Sequence, residues 1–456
     1  MNKLKKSSFS ARQVAVNILV EVFYRQAFSN LALDRGLRRF RLEPADRRLV
    51  TEIVNGTVKM AKHLDWVLSL FLTSRQKLNP YVKMILWSGL YQILFLEKVP
   101  AYAAVSEAVD MAKRVGEGSA KLVNAVLRRV EREKHELEYP DPEKNPVMYL
   151  AVVYSHPEWM VERWLLRYGW EDTVELLTFN NSSPELSVRA NFIKVDREGL
   201  INRLEQEKVK AKEGRICPCG VIIEELPLPI SELSSYQEGL FYVQQESVML
   251  IALALAPHKG DVVLDLCCGV GGKSTHLAEI MNNEGKIKAV DLYPHKLELL
   301  KANCRRLGVE IVEGVALDLL QASDLGMADH VLLDAPCTGT GVLRSRADLR
   351  WRRSREDLEK MSEKQVELVK AASRYVPQGG RLAYCTCSLE PEENEEVVMR
   401  FLQEHQNFRL LDLSDYLSFF PFAKEDKSRA EGGLLTIFPP LYRNEGVFIS
   451  LLERRI

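Results

Sequence analysis

Two cysteines stand just beyond short apolar runs that read as strands. His330-Val331-Leu332-Leu333 continues into Asp334-Ala335-Pro336-Cys337-Thr338-Gly339-Thr340-Gly341, and Arg381-Leu382-Ala383-Tyr384 continues into Cys385-Thr386-Cys387-Ser388. In open α/β sheets the ligand crevice lies beyond the carboxyl ends of the strands, so Cys337 and Cys387 are expected to share one site. A cysteine so placed can act as a nucleophile. Carbon 5 of a pyrimidine is an acceptor that demands one, because it becomes nucleophilic only after a thiolate has added to carbon 6. An exocyclic amine needs no covalent step, since its lone pair attacks directly. Asp334 can hydrogen-bond or protonate the ring nitrogen that takes up charge. A base must then remove the carbon 5 proton so that elimination frees the enzyme. Cys385, one residue from Cys387, points to the opposite side and is expected to be structural. These residues alone leave the roles of Cys337 and Cys387 unranked.

A second group could hold the other reactant. Strand Val262 to Leu266 runs into Cys267-Cys268-Gly269-Val270-Gly271-Gly272-Lys273-Ser274, and a helix follows. Glycines there let the backbone pass close to a ligand beneath a helix N-terminus. Asp291, twenty residues after Gly271 and at the end of the next strand, can accept hydrogen bonds from both ribose hydroxyls. A nicotinamide dinucleotide would want a third small residue where Ser274 stands. A phosphate loop is excluded because Cys267 occupies the position of its first glycine. S-adenosylmethionine, with a ribose and a sulfonium but no pyrophosphate, fits better.

The elements that must position these groups follow from the rest of the chain. Its 456 residues exceed one ordinary core, and 46% hydrophobic with 27% charged residues is a globular balance. The net charge of -1 is a cancellation: residues 1 to 140 sum to +10, which leaves -11 on the remainder. A basic first third points to an acidic partner such as nucleic acid. Eight cysteines, unevenly placed, do not make a disulfide framework. The basic N-terminus is not followed by the apolar stretch of a secretory signal, and the longest apolar run, Val248 to Ala256, is half a membrane span. A cytoplasmic protein is expected.

From Ala11 to about Glu133 apolar residues recur at helical spacing, as in Val14, Ile18, Leu19, Val22 and Phe23, or Ile85, Leu86, Tyr91, Leu94 and Phe95. Helix starts are read at Asn79-Pro80 and at Ser119. This third is expected to be a bundle of six or seven helices. Three prolines within residues 139 to 146 set a domain boundary. Between Met148 and about Gln237 a small α+β subdomain is expected, with a helix around Trp159 to Tyr168, a strand at Leu186 to Asn191, a helix at Asp196 to Lys208 and a strand at Val221 to Glu224. From Phe241 strands and helices alternate, which predicts a parallel sheet covered on both faces. Cys217-Pro218-Cys219 has no companion pair at zinc spacing and is read as a loop without metal.

The stretch from Phe241-Tyr242-Val243-Gln244-Gln245-Glu246 through the glycine loop, Asp-Ala-Pro-Cys and Thr-Cys-Ser resembles the RNA cytosine-5 methyltransferases of the NOL1/NOP2/Sun family. The resemblance implies that Cys387 is the nucleophile and that Cys337 assists product release. It implies S-adenosylmethionine contacts at Cys267, Cys268, Gly269, Val270, Gly271, Gly272, Lys273, Asp291, Asp318 and Asp334. Two departures stand out: Cys268, Gly269 and Val270 replace the family's Ala-Ala-Pro, and Thr338 replaces Ser. Val99-Pro100-Ala101-Tyr102-Ala103-Ala104-Val105, Glu107-Ala108-Val109 and Val123 to Arg128 are similar to the NusB-type RNA-binding fold, and Ser155-His156-Pro157 with Trp159 fits the linker. A NusB-like domain ahead of this methyltransferase is characteristic of bacterial 16S rRNA cytosine-5 methyltransferases of the Sun/Fmu type.

The expectation is therefore a NusB-like helical domain over 1-138, a small α+β subdomain over 146-238 and a Rossmann-like methyltransferase domain over 239-456. The implied partner is 16S ribosomal RNA, with no membrane and no metal, and the protein is expected to be a monomer. Arg344, Arg346, Arg350, Arg352, Arg353 and Arg355, crowded after Cys337 with Trp351, are expected to contact RNA phosphates or unpaired bases. The target base is expected to be extruded into the pocket. Glu392, Glu393, Glu395 and Glu396 are read as surface residues matched to a helix dipole. The alternatives are another RNA, tRNA or 23S rRNA, or a non-catalytic NusB-like RNA-binding factor. The second would require a broken nucleophile or cofactor loop, and both are intact. An amine-directed enzyme would carry Asn/Asp-Pro-Pro-aromatic in place of Asp-Ala-Pro-Cys.

Overall fold

The computed structural model describes residues 9–40, 42–72, 78–322 and 324–455; the basic N-terminal octapeptide lies outside them. The chain divides into two compact units, one of residues 1–182 with 343–352 and one of residues 183–342 with 353–456.

The first unit is helical: α1 Ala11–Tyr24, α2 Ser29–Arg39, α3 Pro44–Lys59, α4 Ala61–Phe71, α5 Pro80–Phe95, α6 Ala101–Lys113, α7 Glu117–Glu133, α8 Pro146–Val153 and α9 Glu158–Asn181. Local chemistry sets the helix starts. Ser10 caps α1 by accepting from the Gln13 amide, and Asn79 caps α5 with Pro80 in its first turn. Val14, Ile18, Leu19 and Val22 of α1 are buried against Ile85, Leu86 and Tyr91 of α5 in one core. α7 begins at Glu117, two residues before the Ser119 expected from sequence, because Gly116 precedes it and Glu117 suits a first turn. The helix expected to end at Tyr168 is interrupted only at Gly169, whose φ of +75° breaks the spiral, and it continues to Asn181. The prolines of residues 139 to 146 fall inside this unit, with Pro146 opening α8.

The second unit opens with an antiparallel sheet. β1 Leu186–Ala190, α10 Arg197–Gln206, β2 Lys210–Glu213, β3 Gly220–Glu225, α11 Ser234–Gln237 and β4 Phe241–Val243 follow in order, and the strands pair as β2-β3-β1-β4. The larger part runs α12 Glu246–Leu255, β5 Val262–Leu266, α13 Gly272–Ile280, β6 Lys286–Asp291, α14 Pro294–Leu307, β7 Val312–Ala316, β8 His330–Asp334, α15 Arg355–Ser373, β9 Arg381–Thr386, α16 Glu395–Glu404, β10 Phe408–Leu410, β11 Leu434–Ile437 and β12 Val447–Arg454. Its sheet order is β10-β12-β9-β8-β5-β6-β7, with β11 also on β12. β5 to β9 are parallel, whereas β12 runs antiparallel to β9. The sheet is thus mixed, and the all-parallel expectation holds only for its five central and outer strands from β5 to β9. The central strands are buried on both faces, with Val263 and Leu332 in one core and Leu264, Val331 and Leu333 in the other.

Candidate active site

The order β9-β8-β5-β6-β7 brings five strand ends side by side. Their carboxyl ends carry Cys387, Cys337 with Asp334, the 267–271 loop, Asp291 and Asp318, so residues spread over 121 positions of sequence share one rim. This is the place where α/β sheets bind ligands.

The glycine loop leaves β5 at Cys267, which has φ +64°, and enters α13 at Gly272. Gly271 takes φ +85°, a conformation that favours glycine, and a Cβ there would lie 2.0 Å from the end of the Leu300 side chain, which would have to shift. Gly269, φ +59°, faces open space where its Cβ would stand. Its amide donates to Asp291 Oδ2 at 2.9 Å, the Tyr293 amide donates to Asp291 Oδ1 at 2.9 Å, and Lys296 Nζ lies 3.3 Å from Oδ2. A fixed, nearly buried carboxylate below an open glycine loop suits a ribose. Asp318 is half-buried and accepts from the Leu320 amide at 3.1 Å. These residues fit a nucleoside-bearing cofactor.

Lys273 reaches from α13 to Asp334 at the end of β8. Burial alone would lower the Lys273 ammonium, but Asp334 and the nearby Cys385 and Asp265 outweigh it and hold the group well above its usual value. Asp334 is thereby fixed between Lys273 and Cys385, whose Sγ lies 3.6 Å from Asp334 Oδ1. Cys385 itself is fully buried, the structural placement expected of it.

Cys337 Sγ and Cys387 Sγ are 3.1 Å apart, and the Cys387 amide donates to Cys337 Sγ at 3.4 Å. The hydrogen bond with Cys387, and then burial, push the Cys337 thiol up. The two loops are also joined through backbone: the Gly341 amide donates to Cys387 O at 2.9 Å, and a Cβ on Gly341 would stand 2.9 Å from that oxygen and 2.5 Å from Gly446 O. Only glycine permits this approach.

Sequence reasoning passed over two acids. Asp265 interrupts the apolar run of β5, and that interruption was the available signal. It is fully buried, accepts from Ser274 Oγ on Oδ2, and has no partner for Oδ1 among the described residues. Burial raises its carboxyl to about 7 against the opposing influence of Ser274 and Lys273. Between an unfolded value near ~4 and that folded value the native state keeps a proton the unfolded chain has lost. Stability from this group therefore falls as pH rises through that window, by up to about 4 kcal/mol. Asp265→Asn keeps an acceptor for Ser274 and removes the titration. Chemical denaturation at pH 5 and pH 8 should show the variant gaining on the parent as pH rises.

The second acid is Glu393, expected on the surface and in fact fully buried. It is turned inward because its carboxylate accepts from the Thr338 amide at 2.8 Å, from Thr338 Oγ1 and from Gln365 Nε2 at 3.0 Å.

The arginine cluster is divided. Leu343–Arg352 belongs to the helical unit. There Arg350 is fully buried and donates to Ser155 O at 3.0 Å, Asn181 Oδ1 at 2.8 Å and Asn180 O at 3.3 Å. A guanidinium consumed by interior acceptors cannot reach RNA, which corrects the expectation for Arg350. Arg344 stacks 4.4 Å from the Phe179 ring, and Arg352 donates to Asp348 and Ala27 O. In the second unit Arg353 donates to Thr338 O at 3.0 Å, next to Cys337. Arg346 and Arg355 are exposed.

Cys217 and Cys219 are buried with their sulfurs 3.1 Å apart, and Cys219 Sγ lies 3.7 Å from His276 Nε2. At the amino-terminal edge of β5 and β8, His258, Asp261 and His330 converge. Asp261 Oδ2 there already accepts from the His258 amide at 2.7 Å and lies 2.8 Å from His330 Nε2. No helix of the described residues is long and apolar enough to cross a membrane.

Known proteins share this arrangement. The chain matches the 16S rRNA methyltransferase RsmB/F family over residues 252–453, the NusB family over 10–132 and the RsmF/B-like ferredoxin-like domain over 156–230. It is 35% identical over 459 aligned positions, 99% of this chain and 100% of the relative, to the probable ribosomal RNA small subunit methyltransferase B of Bacillus subtilis. It is 32% identical to ribosomal RNA small subunit methyltransferase B of Proteus mirabilis, over 88% of this chain and 93% of that one. Among solved structures, PH0851 superposes with a TM-score of 0.81 at 28% identity, covering 99% of this chain and 100% of that one. A helical NusB-like domain, a ferredoxin-like subdomain and a Rossmann-like domain with a mixed sheet thus recur in one order, and the chain belongs to the ribosomal RNA small subunit methyltransferase B family.

Proposed function

We propose that this protein is a cytoplasmic, monomeric enzyme that transfers a methyl group from S-adenosylmethionine to carbon 5 of a cytosine in 16S rRNA, through a covalent adduct with Cys387. The observation that carries the reading is the pair of sulfurs 3.1 Å apart at the ends of two adjacent parallel strands, beside Asp334. Transfer to an amine would use neither sulfur.

The 267–273 loop, Asp291 and Asp318 hold the cofactor, which supplies an electrophilic methyl group when bound. Cys387, as thiolate, adds to carbon 6 of the cytosine and raises the electron density at carbon 5. Asp334, oriented by Lys273, serves the ring nitrogen that gains charge. Once carbon 5 carries the methyl group, loss of its proton and departure of the Cys387 sulfur restore the aromatic ring. Cys337, in contact with that sulfur, assists the departure. The basic helical unit supplies charge for the RNA backbone.

RNA containing 5-fluorocytosine cannot lose a proton from carbon 5 and should trap the protein covalently in the presence of S-adenosylmethionine. Cys387→Ala should abolish trapping and methyl transfer. Trapping by Cys387→Ala at the level of the parent would overturn the assignment of the nucleophile. Methylated nucleoside recovered as an N-methyl derivative would overturn the reaction.

A further inference from the structure

The two cysteine loops are held from behind by consecutive residues of one turn. Glu393 grips the Cys337 loop: it takes the Thr338 amide and hydroxyl, while Gln365 Nε2 bridges from Glu393 Oε1 to Pro336 O at 2.9 Å. The backbone groups on both sides of Cys337 are thereby fixed. Asn394 grips the Cys387 loop: its Oδ1 accepts from Thr386 Oγ1 at 2.6 Å, and its Nδ2 donates to Ser388 O at 2.9 Å. Hydroxyls close the gap between the loops, with Ser388 Oγ 3.4 Å from Thr338 Oγ1 and 3.2 Å from Thr340 Oγ1. The turn is itself anchored, since Tyr384 OH donates to Glu393 O at 2.6 Å.

We propose that Glu393 is a positioning residue that sets Cys337 against Cys387 and so governs release of the methylated product. The inference rests on the reaction proposed above. A carboxylate buried this deeply is costly unless several donors converge on it, and here they come from Thr338, next to Cys337, and from Gln365, which also holds Pro336 O. Burial raises the Glu393 carboxyl while Ser388, Thr338 and Gln365 draw it down. Its charge in turn adds to the upward push on the Cys337 thiol. Glu393 touches neither reacting atom, so its influence passes through its neighbours, chiefly Thr338 beside Cys337, with a further hydrogen bond to Ser388.

Glu393→Gln keeps the shape but turns one acceptor into a donor facing the Thr338 hydroxyl. With ordinary RNA and S-adenosylmethionine, turnover should fall by about tenfold or more while a covalent protein–RNA adduct accumulates. The rate of trapping on 5-fluorocytosine RNA should stay within about threefold of the parent, because Asn394 still holds Thr386 and Ser388 on either side of Cys387. Thr338→Val should shift the same ratio of adduct to product in the same direction, and Thr338→Ser should restore it. Equal losses of trapping and turnover in Glu393→Gln, or turnover without adduct, would overturn the proposal. If Glu393→Gln does not fold, the Thr338 pair decides: release by Thr338→Val at the rate of Thr338→Ser would overturn it. Failure of the parent itself to trap would instead overturn the underlying reaction.

Discussion

Cys337→Ala should convert the protein into one that stops after the covalent step. The Cys337 sulfur is 3.1 Å from that of Cys387 and is held there from Pro336, Thr338 and the Cys387 amide. Among the described residues no other thiol reaches this place; Cys385 lies fully buried against Leu333 O and Asp334. In the proposed reaction addition and methyl transfer require only Cys387, the cofactor and Asp334, so they should survive. Departure should slow by about a hundredfold or more, the range of a lost acid–base group. Denaturing electrophoresis with ordinary RNA should show a slowly migrating protein–RNA band for Cys337→Ala. The band should vanish in the double variant with Cys387→Ala. Normal turnover by Cys337→Ala, or absence of the band, would show that release is managed elsewhere.

Arg189→Met should produce the largest loss of stability in the second unit. Arg189 lies on β1 of the antiparallel sheet and is fully buried. It forms a two-pronged ion pair with Glu279 of α13, at 2.9 and 2.7 Å, and also donates to Thr275 Oγ1, Gly272 O and Gln244. Removing the cation leaves Glu279 buried and uncompensated, which costs about 3–5 kcal/mol. Burial already raises the Glu279 carboxyl, and Arg189 is what lowers it. Without Arg189 the folded-state value rises further above the unfolded one, so the deficit grows as pH increases through the window between them. Denaturant titration should therefore show a larger loss at pH 8 than at pH 5. Arg189→Met combined with Glu279→Leu should recover part of it. Because Gly272 opens α13 below the loop proposed to hold the cofactor, the single variant should also bind S-adenosylmethionine more weakly. Equal losses at both pH values would contradict this account.

What could be read from sequence were features carried by local pattern. Helical spacing in α1 and α5, the apolar runs of β5 and β8, and the cysteines at strand ends all stand where spacing put them. The late strands β10, β11 and β12 escaped because β10 and β11 are short, and the longest pairs with β9 across more than sixty intervening residues, a register that no local signal announces. Glu393 and Arg350 were misread for one reason. A run of like charges resembles an exposed face, turned to solvent as expected of the glutamates or to RNA as expected of the arginines, and only the fold reveals that Thr338, Gln365 and the helix-end carbonyls of another segment converge on single members of each run. Arg189 gave no signal, because its partner lies ninety residues away.

The placement of Leu343–Arg352 has a consequence for how such a protein can be inherited. The peptide chain passes between its two compact units three times, at 182/183, 342/343 and 352/353. Ala347 and Trp351 complete the helical core, yet they are encoded between Cys337 and Arg353. A recombination event that exchanged the first 182 residues would carry away the surroundings of a segment left behind in the other reading half. The helical unit is therefore built from two separate stretches of the sequence. Its ten borrowed residues and its own helices must vary together, and lineages should keep the pair as one heritable block.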